Sequence, residues 1–243
     1  MKFGVQLYNF REALQKDFRG TLKEVAKLGF DGVEFPCMYG NIPPEELAEY
    51  LKELKLECCG AMFSKEALLE ENGIAYQYAA ALKTPAVTLS LSCDFTQEWK
   101  NVADICRRIG DIAAANKTLF SYHNHWREFE LVENTPAMDL ILKENDAQKV
   151  FMEPDVCWLT RGGIKPAEFI SRYASRIRQI HMKDSKVPDV VAELTELGNG
   201  IVDLKGAFLA AQKADIPWLI YEQDVSKDPF RSAEISLKYL KNL

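Results

Sequence analysis

The feature that most constrains the fold is an alternation of short apolar runs with longer amphipathic runs, which recurs eight times along the chain. Short apolar runs are typical of buried parallel strands, and the amphipathic runs between them are typical of crossover helices. The predicted strands are residues 3–7, 32–35, 57–61, 86–90, 118–123, 149–154, 177–182 and 217–221. The predicted helices are residues 17–28, 45–54, 65–83, 96–115, 135–143, 166–174, 203–214 and 228–240.

Several residues mark where the predicted helices begin and end. Gly29 ends the first helix, because glycine readily adopts the left-handed conformation at a helix terminus. Pro43 and Pro44 open the second helix, where a proline lacks only a donor that would be unpaired anyway. The Asn-Gly pair at 72–73 divides the third helical region in two, and Thr96 is the predicted N-cap of the long helix that follows.

Eight strand–helix units within 243 residues, with no linker or low-complexity break, are typical of a single (β/α)8 barrel. We therefore expect one α/β domain, a TIM barrel, over residues 1–243. A doubly wound open sheet is the alternative, but it usually has fewer units and a glycine-rich phosphate loop after its first strand. In this chain the first predicted strand is followed by Tyr8-Asn9-Phe10-Arg11, which is not such a loop.

The charge and composition favour an enzyme of small molecules. The net charge is −6 and the 30 basic residues are scattered, which argues against a nucleic-acid-binding surface. No stretch is long enough to span a bilayer, and the amino terminus lacks a signal-peptide pattern. The six cysteines show no C-x-x-C spacing, as expected in a reducing compartment. We therefore expect a cytoplasmic protein that binds neither nucleic acid nor membranes, and the sequence leaves open whether it forms a homo-oligomer.

Four polar residues stand at the carboxyl ends of four successive predicted strands, or just after them. They are His123, Asp155, His181 and Glu222. In a (β/α)8 barrel these ends line the active site, and buried charges on neighbouring strands require a compensating cation. Imidazole and carboxylate ligands together suit Mn, Co, Ni, Zn or Fe better than Ca or Mg. The four residues therefore predict a divalent metal site, although each alone would also fit a hydrogen-bonded core histidine or a helix cap.

Two further basic residues are candidates for proton transfer. His125 stands two residues after His123, and an extended chain would aim both rings to one side. Lys183 follows closely on His181, and a lysine beside a metal ligand could hold an oxyanion or transfer a proton. The alternatives without a catalytic role are a hydrogen-bonded or surface histidine pair at a strand end and a solvated loop lysine.

Three residues are candidate substrate contacts. Trp158, three residues after Asp155, offers an aromatic face for the apolar side of a sugar ring, or for ordinary barrel packing. Arg161 precedes two glycines and could bind an anionic group or belong to a helix-entry turn. Glu34, at the end of the second predicted strand, faces the same mouth of the barrel if the side-chain alternation holds.

Six short motifs follow one another at characteristic spacings. They are Gly29-Phe30-Asp31-Gly32-Val33-Glu34, Tyr122-His123-Asn124-His125, Asp155 with Gly162-Gly163, His181-Met182-Lys183-Asp184, Gly198-Asn199-Gly200-Ile201-Val202-Asp203 and Tyr221-Glu222-Gln223-Asp224. Over nearly the whole chain they resemble the sugar phosphate isomerase/epimerase group of the xylose isomerase-like TIM-barrel superfamily. The resemblance implies a divalent metal, often Mn, Co, Mg or Zn, held at His123, Asp155, His181 and Glu222. The family's epimerases typically have a glutamate where this chain has His123, and many relatives have a histidine where it has Trp158.

What the resemblance implies about function is a metal-dependent sugar isomerase or epimerase that acts through an enediolate at the carboxyl mouth of the barrel. The metal would bind the substrate carbonyl and an adjacent hydroxyl, and Glu222 or His125 would move the proton. The alternative is a keto-sugar or inosose-type dehydratase or lyase, in which the same metal-stabilised enolate expels a β-substituent. A non-catalytic sugar-binding barrel fits less well. So does an endonuclease IV-like nuclease, which needs a histidine-rich three-zinc cluster, because this acidic chain has three histidines.

Overall fold

Eight parallel strands form a nearly closed barrel in the computed structural model, which describes residues 1–187, 189 and 191–243. The barrel strands are β1 (Lys2–Gln6), β2 (Gly32–Pro36), β3 (Glu57–Met62), β4 (Val87–Leu89), β5 (Phe120–His123), β6 (Val150–Glu153), β7 (Gln179–Met182) and β8 (Trp218–Tyr221). Neighbouring strands pair in the order β6, β5, β4, β3, β2, β1, β8 and β7. Between β6 and β7 the pairing consists of two isolated bridges, Met152 with Ile177 and Asp155 with His181. The predicted (β/α)8 barrel is confirmed.

Helices connect the barrel strands. They are α1 (Arg11–Lys16), α2 (Phe18–Leu28), α3 (Pro44–Glu53), α4 (Lys65–Leu69), α5 (Ile74–Leu82), α6 (Phe95–Ala115), α7 (Ala137–Lys143), α8 (Val156–Arg161), α9 (Pro166–Arg172), α10 (Leu204–Lys213) and α11 (Pro229–Leu240). Two short antiparallel pairs lie in the loops, Leu131–Val132 with Thr135–Pro136 and Asp184–Ser185 with Leu194–Thr195. In the described part of the chain, no helix has both the length and the apolar character needed to cross a bilayer.

Three differences from the predicted elements have identifiable causes. The predicted N-cap of the long helix, Thr96, is wrong, because the Asp94 side chain accepts a hydrogen bond from the Thr96 N–H at 3.0 Å and α6 begins at Phe95. The segment Thr135–Pro136 pairs as a short strand, so α7 begins only at Ala137. The short helices α1 and α8 were not predicted, because six residues are too few to show a helical period.

The barrel interior contains a group of fully buried polar side chains. They are Gln6, Glu34, Thr88, Glu153 and Gln179. Glu34 accepts a hydrogen bond from Gln6 Nε2 at 2.9 Å, and Glu153 accepts one from Thr88 Oγ1 at 3.0 Å. Gly60 on β3 leaves the space for the Glu34 carboxyl group, since a Cβ at this position would lie 2.0 Å from Glu34 Oε1. The interior therefore supplies charged groups directly beneath the carboxyl ends of the strands.

One buried carboxylate, that of Asp184, organises the loop after β7. Its oxygens accept hydrogen bonds from four backbone N–H groups, those of Ser185 (2.9 Å), Gly198 (3.0 Å), Gly200 (2.9 Å) and Val202 (3.1 Å). A Cβ on Gly200 would lie 2.2 Å from Asp184 Oδ1, so only glycine allows this close approach. The carboxylate thereby fixes residues 198–202 next to the end of β7, directly beside Lys183.

We predict that Asp184→Asn lowers the free energy of unfolding by at least about 3 kcal/mol, because the amide turns an NH2 group toward backbone donors and loses charge-assisted hydrogen bonds. Urea denaturation followed by circular dichroism measures the change. Asp203→Asn is the matched control: Asp203 caps α10 through the Gly206 N–H at 2.9 Å, and asparagine caps equally well, so its effect should stay below about 0.5 kcal/mol. Equal losses at the two positions would contradict the anchoring role of Asp184.

Candidate active site

A cavity of about 670 Å³ opens where the carboxyl ends of the barrel strands meet. Basic and acidic groups line one part of it, among them His123, Lys183 and Glu222, and the indole rings of Trp126 and Trp158 line another. Cavities that bind small organic molecules usually have about this size and this mixture of apolar walls with a few polar groups. The cavity therefore has the size and lining of a small-molecule site.

Four buried side chains converge beside this cavity. His123 ends β5, Asp155 follows β6, His181 lies in β7 and Glu222 follows β8. One nitrogen or oxygen atom from each side chain lies within 4.8 Å of the corresponding atoms of the other three. The structure thus brings together the four residues predicted as metal ligands.

Asp155 is oriented by the helix that follows it. Its Oδ1 accepts hydrogen bonds from the N–H groups of Cys157 (2.8 Å) and Trp158 (2.9 Å), which makes it the N-cap of α8. Its own N–H donates to the Asn124 side-chain oxygen at 3.2 Å, which ties this turn to the chain after β5. Because Oδ1 is committed to the helix, Oδ2 is the oxygen that faces the cluster, and it lies 3.1 Å from Lys183 Nζ.

His181 is held on both edges of its ring. Its Nδ1 lies 3.0 Å from Glu222 Oε2, and its Nε2 makes a short hydrogen bond with Glu34 Oε2. Although burial acts in the opposite direction, the carboxylates of Glu34, Glu153 and Glu222 raise the pKa of His181 well above its ordinary value. Glu34 contacts His181 from beneath the cavity and is not part of the cavity lining. The predicted contact between Glu34 and substrate stays a prediction.

Glu153 joins the two ligand histidines from below. Its Oε1 lies 3.2 Å from His123 Nδ1 and 3.0 Å from His181 Nε2. Burial raises the pKa of the nearby Glu34 to about 8, with a further contribution from Glu153. Burial also acts to raise the pKa of Glu153, but His181 and His123 more than offset it and hold that pKa well below its usual range. Burial and Glu153 thus disfavour the ionised form of Glu34, whereas His181 and His123 favour the ionised form of Glu153.

Lys183 is buried among carboxylates, with 1% of its surface exposed. Its Nζ lies 2.6 Å from Glu222 Oε2, 3.1 Å from Asp155 Oδ2 and 3.0 Å from Asp224 Oδ2, and it lies over the Trp158 ring. Although burial opposes charge, these carboxylates raise the pKa of Lys183 well above its ordinary value. Burial also opposes the ionised form of Glu222, but Lys183 and His181 hold its pKa well below the usual range. Lys183 is thus a fixed ammonium group at the edge of the cavity.

The donor set fits a divalent cation. Two imidazoles and two carboxylates are a common ligand combination for Mn, Co, Zn and Fe. Asp155 Oδ2 and His123 Nδ1 are buried, and the polar groups nearest to them, Lys183 Nζ at 3.1 Å and Glu153 Oε1 at 3.2 Å, belong to the same cluster. Buried carboxyl groups outnumber the buried basic groups around them, and an added cation would lower the cost of keeping so many carboxylates together.

His125 lies on the wall of the cavity with its side chain 39% exposed. Its Nδ1 lies 3.3 Å from Ser90 Oγ, and its ring is 5.5 Å from that of His123. Burial, His123 and Lys183 all lower its pKa, so the ring is neutral at pH 7. The expected placement of both histidine rings toward one space is therefore what the structure contains.

Two indole rings, those of Trp126 and Trp158, stand beside His125, and the Arg161 guanidinium packs against one of them. The rings of Trp126 and Trp158 lie 5.3 Å apart, and the Arg161 guanidinium lies 3.4 Å from the centre of the Trp126 ring. Arg161 also pairs with Asp189 at 3.6 Å. Trp158 thus lines the cavity, whereas Arg161 packs against Trp126 from outside the lining. The predicted contacts of Trp158 with a sugar ring and of Arg161 with an anionic group stay predictions.

Glu128 and Glu153 are among the acidic residues of the site that were not singled out from the sequence. Glu128 lines the cavity and is fully buried, and burial raises its pKa from 4.5 to about 7. Glu153 lies two residues before Asp155, so strand alternation alone could have placed it on the same side as that residue. No comparable signal marks Glu128, which stands in the short segment Arg127–Phe129 that follows the strand.

The xylose isomerase-like TIM barrel family model matches residues 22–243, so the chain belongs to this family. The family expected from the six motifs is thereby confirmed.

Individual relatives are distant but match along most of the chain. An inosose dehydratase from Geobacillus kaustophilus is 23% identical over an alignment of 267 positions, gaps included, which spans 92% of this chain and 86% of the relative. A solved sugar phosphate isomerase/epimerase from Parabacteroides distasonis superposes with a TM-score of 0.84 at 22% identity, over 100% of this chain and 99% of that one. A 3-keto-D-glucoside 4-epimerase from E. coli gives 0.78 at 17% identity over 100% of both chains. At these identities the likeness extends to the fold and not to the reaction.

We predict a pH-dependent stability from Glu128. The folded protein keeps this carboxyl proton up to about pH 7, whereas the unfolded chain releases it above about pH 4.5, so the buried group lowers stability increasingly as the pH rises between these values. The whole effect is about 3 kcal/mol. Glu128→Gln should therefore gain stability relative to the natural protein over this range, as measured by urea denaturation with a chelator present. Parallel stability–pH curves for the two proteins would contradict the raised pKa.

Proposed function

We propose that this chain is a metal-dependent sugar isomerase or epimerase that moves a proton next to a carbonyl group. The observation that carries this proposal is the convergence of His123, Asp155, His181 and Glu222, all buried, beside a cavity of about 670 Å³. Buried charges without a partner would destabilise the barrel, whereas a bound cation would offset the cost of burying these carboxylates. Clusters of this kind are common at catalytic sites.

The relatives support a polyhydroxy carbonyl compound as the substrate class. One structural neighbour is a 3-keto-D-glucoside 4-epimerase, and one curated relative is an inosose dehydratase. Both names describe reactions at carbon atoms near the carbonyl of a cyclic polyhydroxy ketone. A substrate of this class offers a carbonyl and an adjacent hydroxyl, and its ring has an apolar face that Trp158 could cover.

Each proposed residue has a role that its surroundings support. A divalent cation held by the four ligands would polarise the substrate carbonyl and acidify the neighbouring C–H bond. Glu222 is ionised at neutral pH because Lys183 and His181 lower its pKa, and it is the proposed base. Lys183 supplies a fixed positive charge for the oxyanion that develops, and His125 on the cavity wall is the second proton-transfer group.

A dehydratase or lyase is the second candidate, and one observation favours it. The residue at the end of β5 is His123, which lies 3.2 Å from Glu153, so this position offers an imidazole where a two-carboxylate epimerase would need a second carboxylate. After the proton next to the carbonyl is removed, loss of a β-hydroxyl requires a proton donor for the departing oxygen. His125 could supply that proton. Both candidates begin with the same C–H deprotonation and differ only afterwards.

We predict that the purified protein binds Mn²⁺ or Co²⁺ and that His123→Ala weakens the affinity by at least about tenfold, which corresponds to about 1.4 kcal/mol. Isothermal titration calorimetry measures both affinities. The matched control is His125→Ala, which removes a neighbouring imidazole outside the ligand set and should change the affinity less than about twofold. Equal affinity in the natural protein and in His123→Ala would remove His123 from the site, and a natural protein without metal affinity would favour a non-catalytic sugar-binding barrel.

We also predict exchange of a substrate hydrogen with solvent. The Mn²⁺-loaded protein, incubated in D2O with an inosose, a 3-keto-glucoside and D-allulose, should introduce deuterium next to the carbonyl of at least one of them. Glu222→Gln should reduce the exchange by about 100-fold or more, since a positioned base contributes 10²–10⁴-fold. NMR detects the exchange and separates a rearranged sugar from an eliminated product. Exchange that persists in Glu222→Gln would assign the base to another residue.

A further inference from the structure

The cavity has two halves of opposite character. The loops and strand ends of β5 to β8 supply the charged half, with His123, Lys183 and Glu222 in its lining. Those of β1 to β4 supply the other half, which we call the apolar half, and its apolar members are Tyr8, Pro36, Met62, Leu91 and Phe95. Among the described residues, the polar members of the apolar half are Ser90 and Ser92, which carry uncharged hydroxyls. A ligand that spans the cavity therefore meets charge at one end only.

The size of the cavity exceeds what a single sugar ring needs. Cavities of about 300–1,000 Å³ enclose drug-sized ligands, and this cavity of about 670 Å³ lies within that range. Two apolar side chains of its lining, Tyr8 and Val191, are 39% and 41% exposed. Exposed apolar surface rimmed by polar groups is typical of ligand-binding grooves. A sugar ring bound at the charged half would leave the apolar half open to solvent.

The backbone donors that usually bind phosphate in a barrel are taken by the chain's own carboxylates. Barrel enzymes often hold phosphate with backbone N–H groups of the loops after strands seven and eight and with a helix N-terminus. In this chain three N–H groups within residues 198–202, in the loop after β7, donate to the Asp184 carboxylate. The N-termini of α6 and α11 are capped by the side chains of Asp94 and Asp228. A phosphate group would meet carboxylates in these places.

The basic side chains around the cavity offer little more to an anion. Lys183 Nζ already lies within 3.1 Å of the carboxylates of Asp155, Glu222 and Asp224. Arg127 is the other lysine or arginine of the described lining, and it is exposed to solvent. A buried phosphate needs charge-assisted hydrogen bonds to offset its lost hydration. The apolar half supplies none.

We propose that the substrate is a sugar ketone without a phosphate group, and that it carries an uncharged, apolar substituent that packs in the apolar half. An aryl or alkyl glycoside has this chemistry, whereas a free or phosphorylated sugar does not. The inference rests on the proposed function, because it names the substrate class of that site. The sugar ring lies at the charged half, and the substituent extends toward Leu91 and Phe95.

Three glucosides with one common ring test this inference. They are methyl β-D-glucoside, phenyl β-D-glucoside and methyl β-D-glucoside 6-phosphate. None has a carbonyl group, so isothermal titration calorimetry with the Mn²⁺-loaded protein measures binding without turnover. The phenyl glucoside should bind at least about tenfold more tightly than the methyl glucoside, since even one methylene group in a hydrophobic pocket changes binding by about 10–200-fold. The phosphorylated glucoside should bind no more tightly than the methyl glucoside.

Variants of the apolar half connect the preference to named side chains. Leu91→Ser should lower the ratio of phenyl to methyl affinity by at least about threefold, because a buried leucine contact is lost. Tyr8→Ser removes an exposed side chain of the same half, so it should lower the ratio without disturbing the core. The matched control is Leu131→Ser, which changes a leucine that is 61% exposed and outside the cavity lining, and it should leave the ratio unchanged.

The outcomes separate this inference from the proposed function. Equal affinities of the phenyl and methyl glucosides, tighter binding of the phosphorylated glucoside, or no binding of the phenyl glucoside would overturn the substrate class. An unchanged affinity ratio in both Leu91→Ser and Tyr8→Ser would do the same. Absence of hydrogen exchange with every sugar ketone would instead remove the proposed function, and the glucoside affinities would still show whether the cavity selects an apolar substituent.

Discussion

One ammonium group, Nζ of Lys183, lies between carboxylates that enter the site from two different strands. Asp155 follows β6, whereas Glu222 and Asp224 follow β8, and β7 between them in space carries Lys183 at its end. Each buried ion costs several kcal/mol in lost hydration, and attraction between the ions offsets this only when the geometry is good. The carboxyl ends of three adjacent strands are therefore held together by charge, and without Lys183 the carboxylates of Asp155 and Glu222 would be left buried with much less compensation.

The polar interior gives this charge cluster a rigid base. Glu34 and Glu153 meet the lower edge of the His181 ring, and Gln6 and Thr88 in turn hydrogen-bond these two carboxyl groups. An imidazole held on one edge by fixed partners can turn very little, which is the usual way in which proteins orient a metal ligand. The space for this base depends on backbone as well as side chains, since Gly60 leaves the room that the Glu34 carboxyl group occupies.

The barrel could be predicted from the spacing of apolar residues along the chain, and the convergence of the four residues from their location at the carboxyl ends of strands. Strand ends meet at one edge, so His123 and Glu222 could be assigned to one site without knowledge of any distance. Contacts between side chains of distant elements could not be predicted in this way. Strand alternation predicted that Glu34 faces the barrel mouth, but it did not predict the contact between Glu34 and His181. Likewise, nothing in the sequence around Arg161 predicted that its side chain would pack against Trp126. Glu128 was missed for a related reason: its significance comes from burial, which a single acidic letter in an irregular segment does not reveal.

The incomplete pairing between β6 and β7 has a consequence for how the molecule fluctuates. Pro154 follows β6 and has no N–H to donate, and the ladder between these strands is reduced to bridges at Met152 and Asp155. Local opening of a fold begins where the backbone hydrogen bonds are fewest, so amide hydrogens along this seam should exchange sooner than those of the continuous ladders. Asp155 and His181 face each other across the seam. A ligand held by both side chains would therefore join the two strands where the backbone pairing between them is sparsest.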